Sequence, residues 1–119
     1  MKTLTLTDAE LKRKVARAKR SYHDSRWMIY VTSDAVLGRL GEAFETKCGF
    51  FVLDKILPYI HDRENLIRSH YHNEGYHSPR LFGIDLYKKF PDSHKLFVHV
   101  FKEVFIDDTD RRSEWHSSR

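Results

Sequence analysis

A chain of 119 residues in which 40% of side chains are hydrophobic and 13% aromatic has the material for one core and not for two. Its 21 Lys and Arg against 17 Asp and Glu leave a formal charge of +4, and eight histidines can add charge below neutral pH, so the chain is mildly basic. A single cysteine, Cys48, excludes an intrachain disulfide framework and a cysteine-based zinc finger. The longest apolar stretch, around Cys48 to Leu53, is far short of the roughly 18–20 residues that span a bilayer, and Met1-Lys2-Thr3-Leu4-Thr5 lacks the apolar core of a signal peptide. The expectation is a soluble, cytoplasmic protein with no membrane partner.

Thr7-x-x-Glu10 forms a capping box and predicts a helix over 8–22, with Leu11, Val15, Ala18 and Tyr22 on its apolar stripe. The rest of that helix carries Lys12, Arg13, Lys14, Arg17, Lys19 and Arg20 with no acid between them, an electrostatic patch suited to phosphates. The alternative is a solvated helix face. "WMIYVT" at 27–32 is aromatic and β-branched, a strand. Ser33-Asp34 then reads as the cap of a second helix, because Leu37, Leu40, Phe44, Cys48 and Phe51 keep helical spacing and the pattern fades before Pro58.

A third helix is expected over Asp62 to His72, ended by the turn signal Asn73-Glu74-Gly75. Arg80 to Tyr87 and Lys95 to Ile106 read as strands joined by the polar loop Lys88 to His94. In the second of these, Leu96, Val98 and Val100 alternate with Phe97, His99 and Phe101, so both faces are apolar and the strand should be central. A helix from Ser93 also fits, with Phe97, Val100, Phe101 and Val104 on one face. Residues 1–108 make one globular domain and 109–119 a charged tail expected to fray. The fold class is α+β: a single small domain with N-terminal helices packed on a short mixed or antiparallel sheet.

Three segments carry candidate chemistry: "LGRLGEAFETKCGFFVL" at 37–53, "FGIDL" at 82–86 and "KLFVHVFKEV" at 95–104. Together they resemble the restriction-endonuclease-like nucleases, over about half the chain. In that family a helix supplies a Gly-x-x-Phe-Glu element, a strand supplies Gly-Ile-Asp, and the next strand supplies Glu or Gln, one residue, then Lys. The resemblance implies metal ligands at Asp85 and Glu45 and catalytic roles for Asp85, Glu45 and Lys102. Mg²⁺ or Mn²⁺ would suit such oxygen ligands, lowering the pKa of a bound water, while the lysine orients it. His99 stands where the family has an acid or amide, and Phe101 where it has the lysine. An imidazole at His99 shifts preference toward softer ions, Mn²⁺ or Zn²⁺.

A second constellation, "RSHYHNEGYHSPR", offers His70, His72 and His77 as alternative ligands for Zn²⁺, or as an acid-base pair for cleaving RNA without metal. Beside the histidines, Tyr71, Tyr76, Arg68 and Arg80 suit stacking on bases and holding phosphates. The leading functional expectation is therefore a small nucleic-acid-binding protein, contacting nucleic acid through the basic helix and the His/Arg/Tyr loop on a degenerate nuclease-like core. The alternatives are a non-catalytic protein-binding inhibitor or accessory factor, of the kind phages and mobile elements encode, and a small ribonuclease toxin.

Overall fold

The structure, a computed structural model, describes residues 1–18 and 26–104. The expected end of the first helix, the last residues of the final strand, the tail and the side chains of Arg17, Lys19 and Arg20 lie outside the described residues. In chain order the elements are β1 (Lys2–Thr3), α1 (Asp8–Ala18), β2 (Trp27–Ser33), β3 (Ala43–Thr46), β4 (Gly49–Ile60), α2 (Arg63–His70), α3 (Pro79–Lys89) and β5 (Lys95–Val104). Among the described residues the strands form one mixed sheet in the order β1-β3-β4-β5-β2, parallel only between β1 and β3, and the fold is α+β. No helix in this part of the chain is long and apolar enough to cross a membrane.

The capping box closes as its sequence predicts. The Thr7 hydroxyl accepts from the Glu10 amide at 3.1 Å, and the Glu10 carboxylate accepts from the Thr7 amide at 3.2 Å. The period-two pattern of β5 divides the core: Leu96 and Val98 face a cluster with Ile29, Leu66, Phe82 and Leu86 under α2 and α3, while Phe101 faces a second cluster with Met28, Phe44, Phe51 and Leu53. Leu4 and Leu6 enter this second cluster from the segment before α1. β5 lies between β4 and β2 with apolar layers on both sides, as expected of a central strand.

The expected helix after Ser33 is instead a loop followed by the β3–β4 hairpin. Gly41 sits at φ 85°, a conformation that ends a helix rather than continues one. Its amide donates to the Leu53 carbonyl at 2.7 Å, and the Leu53 amide donates to the Glu42 carbonyl at 2.9 Å. Phe44 and Phe51, seven residues apart and seemingly two helical turns, are cross-strand partners. The turn between them is locked by Thr46, whose hydroxyl accepts from the Cys48 amide at 3.1 Å and donates to the Gly49 carbonyl at 2.9 Å. Pro58 is tolerated within β4 because β3 pairs only with Gly49 to Val52, leaving β5 as the sole neighbour there among the described residues.

The expected strand over 80–87 is α3, a second correction. Ser78 is its N-cap, accepting from the Leu81 amide at 3.4 Å, and Pro79 supplies the fixed φ of the first turn. Phe82 and Leu86, four apart, bury one face. The Arg63 guanidinium of α2 clasps the far end, donating to the carbonyls of Leu86 (3.3 Å), Phe90 (2.5 Å) and Ser93 (2.9 Å). α2 stands where the third helix was expected, and the alternative helix from Ser93 gives way to β5, whose ladder pairs Phe97 with Thr32 and Pro58.

α1 is docked on the turn after α2. Gly75 holds φ 84°, and a Cβ there would lie 2.8 Å from the Arg13 carbonyl oxygen, so both the left-handed backbone and the close approach require glycine. The variant Gly75→Ala is expected to lose at least about 1–2 kcal/mol of stability, the ordinary cost of left-handed backbone before any clash is counted. Urea unfolding measures it, and a midpoint equal to wild type would contradict this docking.

Candidate functional site

The residues implied as a metal centre are carried on elements of the opposite kind. Glu45 is exposed on strand β3, and Asp85 is exposed on helix α3, where it accepts from the Tyr76 hydroxyl at 2.6 Å. His99 is fully buried in β5: its Nε2 accepts from the Leu37 amide at 2.9 Å and its Nδ1 lies 3.1 Å from the Tyr30 carbonyl. Both ring nitrogens are thus engaged, one with the loop after β2 and the other with β2 itself. Lys102 projects from β5 over the Trp27 ring, 5.5 Å from its centroid. His70 is also buried, bonded to the Tyr59 hydroxyl at 2.8 Å, while His72 and His77 are exposed. Among the described residues no three His, Cys, Asp or Glu side chains gather closely enough to hold a metal ion. The sets Asp85–Glu45–His99 and His70–His72–His77 are therefore not assembled for one, whether Mg²⁺, Mn²⁺ or Zn²⁺.

What the fold does assemble is a cleft of about 240 Å³ between α1, β2 and α3. At its floor Lys14, only 2% exposed, donates to the Glu74 carboxylate at 2.6 Å and to the Ile29 carbonyl at 2.6 Å. Burial pulls the Lys14 ammonium below its usual range, against the opposing pull of Glu74. Arg13 stacks on the Tyr76 ring at 4.6 Å, with its Nε donating to the Glu74 carbonyl at 2.6 Å. Lys14 and Lys89 both stand over the Tyr30 ring, at 5.5 and 5.3 Å. Burial, reinforced by the hydrogen bond to Asp85, pushes the Tyr76 hydroxyl far up, and burial raises Tyr30 as well, so both phenols stay protonated.

The carboxylates of the cleft are already engaged. Glu74 holds Lys14, Asp85 holds Tyr76, and Glu10 caps α1. Burial would raise Glu10, but its bonds from Thr7 and the nearby Lys89 and Lys14 outweigh this and hold it below the usual range. The Tyr76 ring is occupied by Arg13 at 4.6 Å and by Phe82, stacked at 5.2 Å, so Tyr30, with Lys89 beside it, is the aromatic left to meet a ligand.

Of the cations expected to face phosphates, Lys14 is enclosed by Glu74 and Ile29, and Arg13 is tied to Glu74. Lys12, Arg68 and Arg80 are exposed. Tyr76 joins Arg13 and Lys14 at the cleft. Tyr30, Lys89 and Phe90 were not singled out by sequence reasoning, and the local signal for the site was the Glu74-Gly75 turn with an aromatic beside it. No known protein family, curated protein or solved structure matches the chain.

Removing one partner of the buried pair leaves an uncompensated charge, so Lys14→Ala and Glu74→Ala are each expected to cost about 3–5 kcal/mol in urea unfolding, with most of it restored in Lys14→Met/Glu74→Leu. A second expectation concerns pH. Burial lowers His99 and His70 below the ordinary value of 6.5, so the unfolded chain takes up their protons first. Their contribution to stability is complete above about pH 6.5 and is lost as pH falls from there toward their depressed values. Thermal melts from pH 8 to pH 5 should show a falling midpoint, and a flat profile would refute neutral histidines in the core.

Proposed function

We propose that this protein binds nucleic acid, receiving an unstacked base in the cleft between α1, β2 and α3. The carrying observation is the pairing of Tyr30 and Tyr76 with Arg13, Lys14 and Lys89 around one hollow. Aromatic faces take a base by stacking without regard to sequence, and the exposed Lys89, unlike Arg13 and Lys14, is free of Glu74 and suits the phosphate that follows it. At about 240 Å³ the hollow falls below the roughly 300–1,000 Å³ typical of drug-sized ligands and suits a single ring system. Lys12 on α1 and Arg80 and Lys88 on α3 are exposed on the helices that wall it, in position to carry the backbone onward. The degenerate nuclease-like core remains a proposal of resemblance, and the binding reading does not depend on it.

A second reading, a non-catalytic protein-binding module, is favoured by the outer face of α3. Leu81, Ile84 and Tyr87 are 49%, 44% and 52% exposed there, beside Arg80 and Lys88. A protein partner seated on this face would survive nuclease treatment and be lost from the variant Ile84→Asp.

Fluorescence anisotropy with labelled single-stranded RNA, single-stranded DNA and duplex tests the leading reading across a salt series. Single strands should bind more tightly than duplex, and Tyr30→Leu should weaken binding by about 1–3 kcal/mol, the worth of one stacked base. Lys89→Ala should reduce the salt slope by about one. A response that is absent or insensitive to both variants would reject the cleft as the site.

A further inference from the structure

On the other side of α3 lies a larger hollow, about 450 Å³, whose rim includes His61, Asp62, Glu64, Tyr87, Asp92 and His94. The ladder between β4 and β5 ends at Ile60 and Lys95, and the next residues on each chain, His61 and His94, continue the pairing: the His61 amide donates to the His94 carbonyl at 2.8 Å. The two imidazoles therefore project from directly opposed backbone positions, with ring centroids 4.9 Å apart and planes tilted by 34°. Both side chains are exposed to solvent at the mouth of the hollow.

We propose that His61 and His94 form a two-imidazole clip for a divalent transition-metal ion, preferring Cu²⁺ over Zn²⁺. At bond lengths of about 2.0–2.1 Å, tetrahedral Zn²⁺ holds two imidazole nitrogens about 3.4 Å apart and tetragonal Cu²⁺ holds cis nitrogens about 2.9 Å apart, and rings already facing at 4.9 Å reach either separation by rotation about their side-chain bonds. Opposed backbones fix the spacing in advance, so little ordering is left for the ion to impose. Nitrogen ligands select this class of metal over Mg²⁺ or Ca²⁺, and the order of affinity among divalent ions places Cu²⁺ highest. No third side chain of the described residues completes a protein-only cage, so water fills the remaining positions. The carboxylates of Asp62, Glu64 and Asp92 line the same hollow and favour a cation through its field. Arg63, also on the rim, has its guanidinium occupied by the carbonyls of Leu86, Phe90 and Ser93.

His61 adopts φ 51°, left-handed backbone that a histidine occupies at a cost and that asparagine accepts readily. His61→Asn therefore removes the ligand while keeping the turn. Isothermal titration of the full chain with CuCl₂ and with ZnCl₂ at pH 7.5 should give one saturable ion per chain, tighter for Cu²⁺. Affinity should fall at least tenfold in His61→Asn and in His94→Ala alike. Wild-type affinity retained in the double variant would place the ion on other histidines, such as His72 or His77, and overturn the clip. Absence of saturable binding would overturn it equally.

Discussion

The structure depends on one buried ion pair. Lys14 and Glu74 are 2% and 6% exposed, and two charges so placed are stable only while each has the other. Meeting this condition brings three separate pieces of chain together: α1, which carries Lys14; the turn after α2, which carries Glu74; and β2, whose Ile29 carbonyl takes another of the lysine's protons. A desolvated charge tolerates little displacement, so the pair fixes position in a way that apolar contact alone does not. Arg13 and Gly75 then set how closely helix and turn approach, and the hollow that they leave in front of Tyr30 and Tyr76 is a by-product of that fixed joint.

The sheet supplies the second constraint. Its central strand buries Leu96 and Val98 on one side and Phe101 on the other, so α2 and α3 must cover one layer and the N-terminal segment the other. His99, in the same strand, is a polar group enclosed without solvent; it is accommodated because both nitrogens find backbone partners. A residue that fits the position of a metal ligand thereby serves as a strut between β5 and the loop after β2. The far end of β5 is tied similarly, with Glu103 bonded to Arg26, and Arg26 in turn reaching the Cys48 carbonyl at 3.1 Å.

What could be read from the sequence was what is local. Thr7 and Glu10 announced α1, the alternation through Leu96 to Phe101 announced β5, and "WMIYVT" announced β2. The failures came where two periodicities coincide. A seven-residue separation between Phe44 and Phe51 is two turns of a helix or one cross-strand pair around a tight turn, and only Gly41, Thr46 and Gly49 distinguish them. In α3 the Gly83-Ile84-Asp85 triplet was read through its resemblance to a strand motif, whereas Ser78-Pro79 followed by Phe82 and Leu86 was the better physical signal. The cleft was illegible in principle, since it joins residues 10–14, 30, 74–76 and 82–90, which no spacing rule relates.

One feature of the Lys14 contact reaches beyond the ion pair. A sheet that ends in a free strand offers a template on which another chain can add, and such edges are the usual starting point of aggregation. Among the described residues one border strand, β1, is only two residues long, and on that side β4 beyond Leu53 is also open, interrupted by Pro58, which has no amide hydrogen to offer. The other, β2, is seven residues long, and it has a helix alongside and an ammonium seated on one of its carbonyls. The charge that organises the cleft thus also acts as a gatekeeper, making strand addition at that border conditional on first uncovering a buried cation.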